Sequence, residues 1–282
     1  MKSDCHMHMV LDGVDWKQAI GRHCEKVDVP WIRQTLERYR KAGYTYLRDG
    51  GDRWGVGAAA RAMADEYGIV YRTPLAPLCR KGHYGGFIGL TYETMKDYAA
   101  LVVRQRQQGA DFIKIMISGL MDFDRYGVLT EEGLPREDIR ELIHIAHAEG
   151  FRVMAHANGA RTIEAAAQAG VDSVEHGAYA DEDALAAMAQ NGAVWVPTLA
   201  TIGNLRGKGR FQESAVHQIL DSAMENVSRF AAMGGILAPG SDAGAWSVEH
   251  AMDSEWTLLT EAIGPTAETV LQTGIRRIQE LF

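Results

Sequence analysis

Nowhere in the 282 residues do about 18 apolar residues run together, so no segment reads as a membrane-spanning helix. The segment after Met1, Lys2-Ser3-Asp4-Cys5-His6, has none of the apolar run that marks a secretory signal, and the expectation is a cytoplasmic protein. Cysteine is scarce. Cys5, Cys24 and Cys79 are odd in number and form no C-x-x-C pair, which fits a reducing compartment better than a disulfide framework. Positive charge is short as well: 29 Lys and Arg against 37 Asp and Glu leave a net charge of −8, and no basic run could follow a phosphate backbone. Neither nucleic acid nor a membrane is an expected partner. H-E-x-x-H and G-x-S-x-G are also missing, which removes the common metalloprotease and serine-hydrolase signatures.

What is present begins with bulk: 46% hydrophobic residues and 23% charged ones are enough to bury a large core, so disorder is excluded. Glycine then recurs between a helix-like stretch and a short apolar run, at Gly43, Gly68, Gly109, Gly150, Gly170, Gly192 and Gly234. A glycine there reads as a helix C-cap, so each marks a helix-to-strand joint. With the opening segment Asp4 to Met9, the strands fall at Tyr44 to Asp49, Ile69 to Leu75, Phe112 to Ser118, Phe151 to His156, Val171 to His176, Val194 to Thr198 and Ile236 to Asp242. Between them, Ile139, Leu142, Ile143 and Ala146 keep helical period, as do Ile163, Ala166, Ala167 and Gly170. Long connections follow strands 1, 3, 4 and 7. Eight strands alternating with helices, with long loops at the strand ends, predict an α/β fold, a (β/α)8 barrel whose chemistry sits at the C-terminal rim. No linker or composition break divides residues 1–282, so a single domain is expected. Gly55-Val56-Gly57-Ala58-Ala59-Ala60 matches G-x-G-x-x-A, but no acidic residue ends the following strand; an alanine-rich helix start is the better reading.

His6 and His8, two apart on a strand, project to the same side and could share a cation, although this spacing alone says little in a chain with ten histidines. Lys114 lies in the apolar run Phe112-Ile113-Lys114-Ile115-Met116-Ile117-Ser118. Burial there favours a neutral amine, which can capture carbon dioxide as a carbamate able to bridge two metals; an internal Lys–Asp ion pair is the alternative. His156, His176 and Asp242 each stand at the end of a strand. Six metal-competent groups on strands 1, 4, 5, 6 and 8, all at one rim, predict a metal centre.

The segments around Lys114, Ala155-His156-Ala157-Asn158-Gly159, Val174-Glu175-His176-Gly177 and Gly240-Ser241-Asp242-Ala243-Gly244 resemble the amidohydrolase superfamily over nearly the whole chain, in the branch of imidazolonepropionase-like proteins and Xaa-Pro dipeptidases. The resemblance implies hydrolysis of a C–N bond in a small substrate. It implies two divalent ions, with His6 and His8 on the first, His156 and His176 on the second, a carboxylated Lys114 between them, and Asp242 as ligand and proton shuttle. Zinc is the expected metal, though these donors also suit manganese, iron, cobalt or nickel. His83 and Tyr84, in Arg80-Lys81-Gly82-His83-Tyr84-Gly85-Gly86, and Asn158 are candidate substrate contacts, His83 also a catalytic one. Relatives carry an accessory β-sandwich; here strand 1 begins almost at Met1, so the expectation is a barrel lacking it, with flanks covered in a homo-oligomer. A mononuclear deaminase of this fold has a glutamate three residues after the strand-5 histidine, where Gly159 stands here. A lactonase or phosphotriesterase, or a metal-binding scaffold without turnover, would share the ligands.

Overall fold

The computed structural model describes residues 2–282. Among them are ten strands: β1 (Lys2–Met7), β2 (Tyr44–Asp49), β3 (Val70–Arg72), β4 (Leu78–Arg80), β5 (Leu90–Tyr92), β6 (Ile113–Met116), β7 (Val153–Ala157), β8 (Ser173–His176), β9 (Val194–Val196) and β10 (Ile236–Leu237). All the pairings are parallel, in the orders β1-β2-β3 and β10-β9-β8-β7-β6-β4-β5. The fold is α/β. The seven glycines expected to end helices all have positive φ, between 67° and 84°.

The two sheets meet where β10 runs out. The Cys5 N–H donates to Pro239 O at 2.8 Å, the Asp242 N–H to His6 O at 2.7 Å and the His8 N–H to Ala243 O at 2.7 Å. Strand 8 as read from sequence extends to Asp242, but the ladder stops at Leu237 because Pro239 has no N–H to give. A similar correction applies to strand 3. Its ladder breaks after Arg72, at Pro74 and Pro77, with Leu75 at φ 64°, and Leu78–Arg80 resumes the pairing beside β6. β5 was not anticipated.

Strand alternation sorts side chains between two cores. Ile113, Ile115 and Ile117 join Val153, Ala155 and Val174 against helix Arg136–Ala148, where Ile139, Leu142, Ile143 and Ala146 are fully buried. Each of those large aliphatic side chains contributes about 1.5–3 kcal/mol. Gly170, expected on the corresponding face of the next helix, lies beyond its C-cap at Ala169. On the opposite strand face Phe112, Met154, Val194 and Val196 pack with Cys5, Tyr46, Ile278 and Phe282. Lys114 and His156 follow Phe112 and Met154 at two-residue spacing, so they stand above this inner layer.

The Gly55–Ala60 segment does start a helix, Val56–Ala64, and the Asp52 carboxylate accepts from the Trp54, Val56 and Gly57 N–H groups at its N-terminus. A protein side chain therefore fills the place a phosphate would take.

Glu255, 2% exposed, is pushed up to about 8 by burial, although one carboxylate oxygen accepts from the Ala200 N–H at 2.7 Å. Among the described residues, its other oxygen accepts no hydrogen bond. In the unfolded chain the group ionises near 4.3, so between about pH 4.3 and 8 unfolding releases a proton and stability falls as pH rises. Glu255→Gln keeps the acceptor and removes that slope. Its melting temperature should exceed the parent's at pH 8 by roughly 10 °C, about 4 kcal/mol, and the gap should close near pH 4. Equal melting curves at pH 8 would show that Glu255 ionises in the fold without cost.

Candidate metal centre

Strand order brings His6 of β1, His8 just after it, Lys114 of β6, His156 of β7, His176 of β8 and Asp242 after β10 together. His6 and His8 have ring centroids 5.4 Å apart, His6 and His176 5.1 Å, and His156 and His176 4.5 Å. Lys114 Nζ lies 2.9 Å from His6 Nε2, and Asp242 Oδ1 is 3.5 Å from both His6 Nε2 and His8 Nε2. Among the described residues, His6, His8 and Asp242 form the cluster whose ligand atoms all lie within 4.8 Å of one another.

Three of the four imidazoles have their outer nitrogen held. His6 Nδ1 sits 2.7 Å from Glu175 Oε2, His156 Nε2 is 3.1 Å from Gly119 O, and His176 Nδ1 is 2.8 Å from Thr198 Oγ1. These partners leave the other nitrogen of each ring available at the centre, the arrangement a metal-binding histidine needs. Burial pushes His6, His8 and His176 well below the ordinary imidazole value and His156 down to about 3, so all four are neutral at pH 7 and able to bind a cation. The donor set fits divalent metal.

Lys114 is 1% exposed and, among the described residues, has no carboxylate within ion-pairing distance; the internal Lys–Asp pair does not form. Burial pushes its amine down from the usual lysine value, against the opposing charges of Asp242 and Glu175. Asp242 is pushed up by the same burial, with Lys114 opposing.

Two of the candidate ligands reach the centre only through unusual backbone. Val174 packs outward and Glu175 inward, so a regular strand would turn His176 away from the centre. His176 instead has φ 68°, and Asp242 has φ 55°. Each such left-handed non-glycine residue costs on the order of 1–3 kcal/mol, which the surrounding packing must offset. On β1 the pairing register slips between Asp4 and Met7, a bulge that re-aims side chains near His6.

The loops close over this layer. Tyr84 has its ring centroid 4.8 Å from that of His156, and its N–H donates to both Glu131 oxygens at 3.1 Å. His83 Nδ1 is 2.9 Å from Glu131 Oε1, so His83 clasps the loop after β4 to the loop after β6. Asn158 is fully buried: its amide N–H donates to Gly119 O at 3.0 Å and its carbonyl accepts from the Ala178 N–H at 3.0 Å. It braces Gly119, the carbonyl that holds His156. Sequence reasoning missed Arg48, Ser173, Glu175, Thr198 and Glu131. Of these, Arg48 and Glu175 carried the same signal as Lys114, a charge inside a buried parallel strand.

Comparison with known proteins is consistent in direction. No protein-family profile matches the chain. An uncharacterised protein of Mycobacterium tuberculosis is 30% identical across 95% of this chain and 70% of its own length. Ochratoxinase of Aspergillus niger is 25% identical across 85% of this chain, which spans 56% of that enzyme. Among solved structures, a Xaa-Pro dipeptidase with methionine bound in its active site superposes with a TM-score of 0.78 at 21% identity, over 98% of this chain and 74% of that one. The chain belongs to the same family as the mycobacterial protein and shares its fold with the dipeptidase. The A. niger ochratoxinase structure superposes as well, with a TM-score of 0.73 at 21% identity over 99% of this chain and 69% of that one.

Beside the centre, packing at Gly50 leaves no room for a side chain. A Cβ there would stand 2.1 Å from His8 Cε1 and 2.5 Å from His8 Nε2. Gly50→Ala should therefore displace the His8 ring, lowering bound metal and costing about 1–3 kcal/mol of stability through overpacking. Elemental analysis beside a thermal melt checks this; full metal with an unchanged melt would mean the loop yields.

Proposed function

We propose that the chain is a metal-dependent amidohydrolase that cleaves an amide or peptide-like bond of a small substrate at a binuclear centre. The observation that carries this reading is the convergence of four neutral histidines, a buried lysine without an ion pair and Asp242 on one rim. His6 and His8 would hold one ion, His156 and His176 the other, with Asp242 on the first and a carbamate of Lys114 between them. Zinc suits this donor set. We also read the two sheets as one closed (β/α)8 barrel over residues 1–282, supported by the backbone bonds from Cys5, His8 and Asp242 across the β1–β10 seam.

Two bound divalent ions would supply Lewis acidity, lowering the pKa of water to about 7 and polarising the scissile carbonyl. The protein's own groups do the rest. Asp242 accepts the proton of the attacking water at its carboxylate and passes it to the departing nitrogen, and burial, which pushes its pKa up, suits both halves of that task. Tyr84, over His156, is placed to contact the substrate beside the metals, with His83 and Glu131 holding its loop. Asn158 acts through Gly119.

The rim above β6, β9 and β10 carries half-buried aromatics: Phe123 meets Phe211 at 5.2 Å, and Phe211 meets Trp246 at 6.1 Å. This wall favours substrates with an apolar group near the scissile bond. Protein purified without chelator should contain close to two metal ions per chain. It should release amino acid from dipeptides or N-acyl amino acids with apolar side chains faster than from acidic ones. One ion or none, with no release across that panel, would overturn the binuclear hydrolase and favour a mononuclear site or an inert scaffold.

A further inference from the structure

Directly beneath the proposed ligands lies an ion pair that the mechanism does not use. Arg48 of β2 and Glu175 of β8 both have wholly buried side chains, with Nη2 2.9 Å from Oε1. Arg48 is held on every side: Nη1 donates to Ser173 Oγ at 2.9 Å, Nε donates to Cys5 O at 2.6 Å, and the guanidinium lies 4.5 Å from the Phe282 ring centroid. Ser173 Oγ in turn donates to Glu175 Oε1 at 2.6 Å. One oxygen of Glu175 thus takes two donors from below, which fixes the carboxylate plane and aims the other oxygen, Oε2, at His6 Nδ1.

A buried pair of this kind stabilises a fold little compared with apolar residues of the same volume, so stability alone does not account for it. Its geometry offers a use. A carboxylate can only accept at His6 Nδ1, which requires the proton on that nitrogen and leaves the lone pair on Nε2, the atom beside Lys114 Nζ and Asp242 Oδ1. His156 and His176 have neutral oxygens in this role, Gly119 O and Thr198 Oγ1; among the described residues, His6 is the proposed ligand backed by a carboxylate.

We infer that Arg48, Ser173 and Glu175 form a positioning unit that fixes the His6 tautomer and so sets the metal affinity of the His6–His8 half of the centre. This inference rests on the metal-centre reading above. Arg48 and Glu175 are positioning residues, since neither touches the reacting atoms.

The test is Glu175→Gln, probed with cobalt(II) alone. If the amide oxygen keeps Arg48 and Ser173, its NH2 group faces His6 Nδ1 and donates to it, which drives the ring proton onto Nε2 and blocks ligation there. Chelator competition should show cobalt affinity at one of two sites falling about 10–100-fold. The cobalt absorption spectrum should change with it, a readout separate from the lower melting temperature that an unpaired buried Arg48 charge by itself causes. Unchanged affinity and spectrum, with only a lower melting temperature, would make the pair merely structural and overturn the inference. Should Glu175→Gln fail to fold, Ser173→Ala removes one donor and leaves the charge pair; a several-fold weakening is then expected, and none would overturn the inference. Failure of the parent protein to bind cobalt would sink the metal-centre reading itself, an outcome distinct from tight parental binding that the variants leave untouched.

Discussion

Lys114→Ala should take the protein from near two metal ions per chain to one or none and lower turnover by on the order of 10³-fold, several kcal/mol of lost transition-state stabilisation. The reasoning starts from cost. A bare ammonium among Phe112, Met116 and the inner faces of the strands is unfavourable, and among the described residues no carboxylate closes on it. An amine pushed toward neutrality, 2.9 Å from His6 Nε2, has the reactivity and the position for a carbamate that joins the two halves of the centre. Lys114→Arg separates this from a simple charge requirement. Arginine keeps the positive charge but cannot be deprotonated, so it forms no carbamate. If Lys114→Arg retained metal and turnover, the side chain would be acting as a cation and the bridging role would fall. Elemental analysis and initial rates on the two variants decide the matter.

Asp242→Asn should keep most of the metal while turnover drops about 10²–10⁴-fold, the usual contribution of a positioned general acid–base group. The amide oxygen can still approach the ion held by His6 and His8, but it accepts no proton at neutral pH. The deficit should appear in kcat at saturating substrate more than in KM, because the lost step follows binding. An Asp242→Asn protein with parental kcat would rule out the shuttle; one that lost its metal as well would make Asp242 chiefly a ligand.

Much of the architecture was legible because its signals are local. Seven glycines marked seven helix ends, since the left-handed C-cap is a property of a few consecutive residues. The two-residue spacing of His6 and His8 brought both rings to the centre, 5.4 Å apart, although His8 lies just past the end of β1. Prolines already visible in the sequence explain the two largest differences in strand limits: Pro74 and Pro77 split the third strand, and Pro239 cuts the last one short. The placement of His83 and Asn158 was less legible. One clasps Glu131 and the other braces Gly119, partners 48 and 39 residues away.

By itself, then, the sequence determined the alternation of strand and helix, the rim on which the metal-competent residues gather, and the burial of Lys114. All three follow from backbone geometry within one element, where period and capping act over a handful of positions. Only the tertiary structure decided which nitrogen of each histidine faces the centre, because Glu175 lies 169 residues from His6, Gly119 37 from His156 and Thr198 22 from His176. It also decided that His176 turns inward at all. Strand alternation alone points that ring outward with Val174, and a left-handed backbone held by the surrounding packing reverses it.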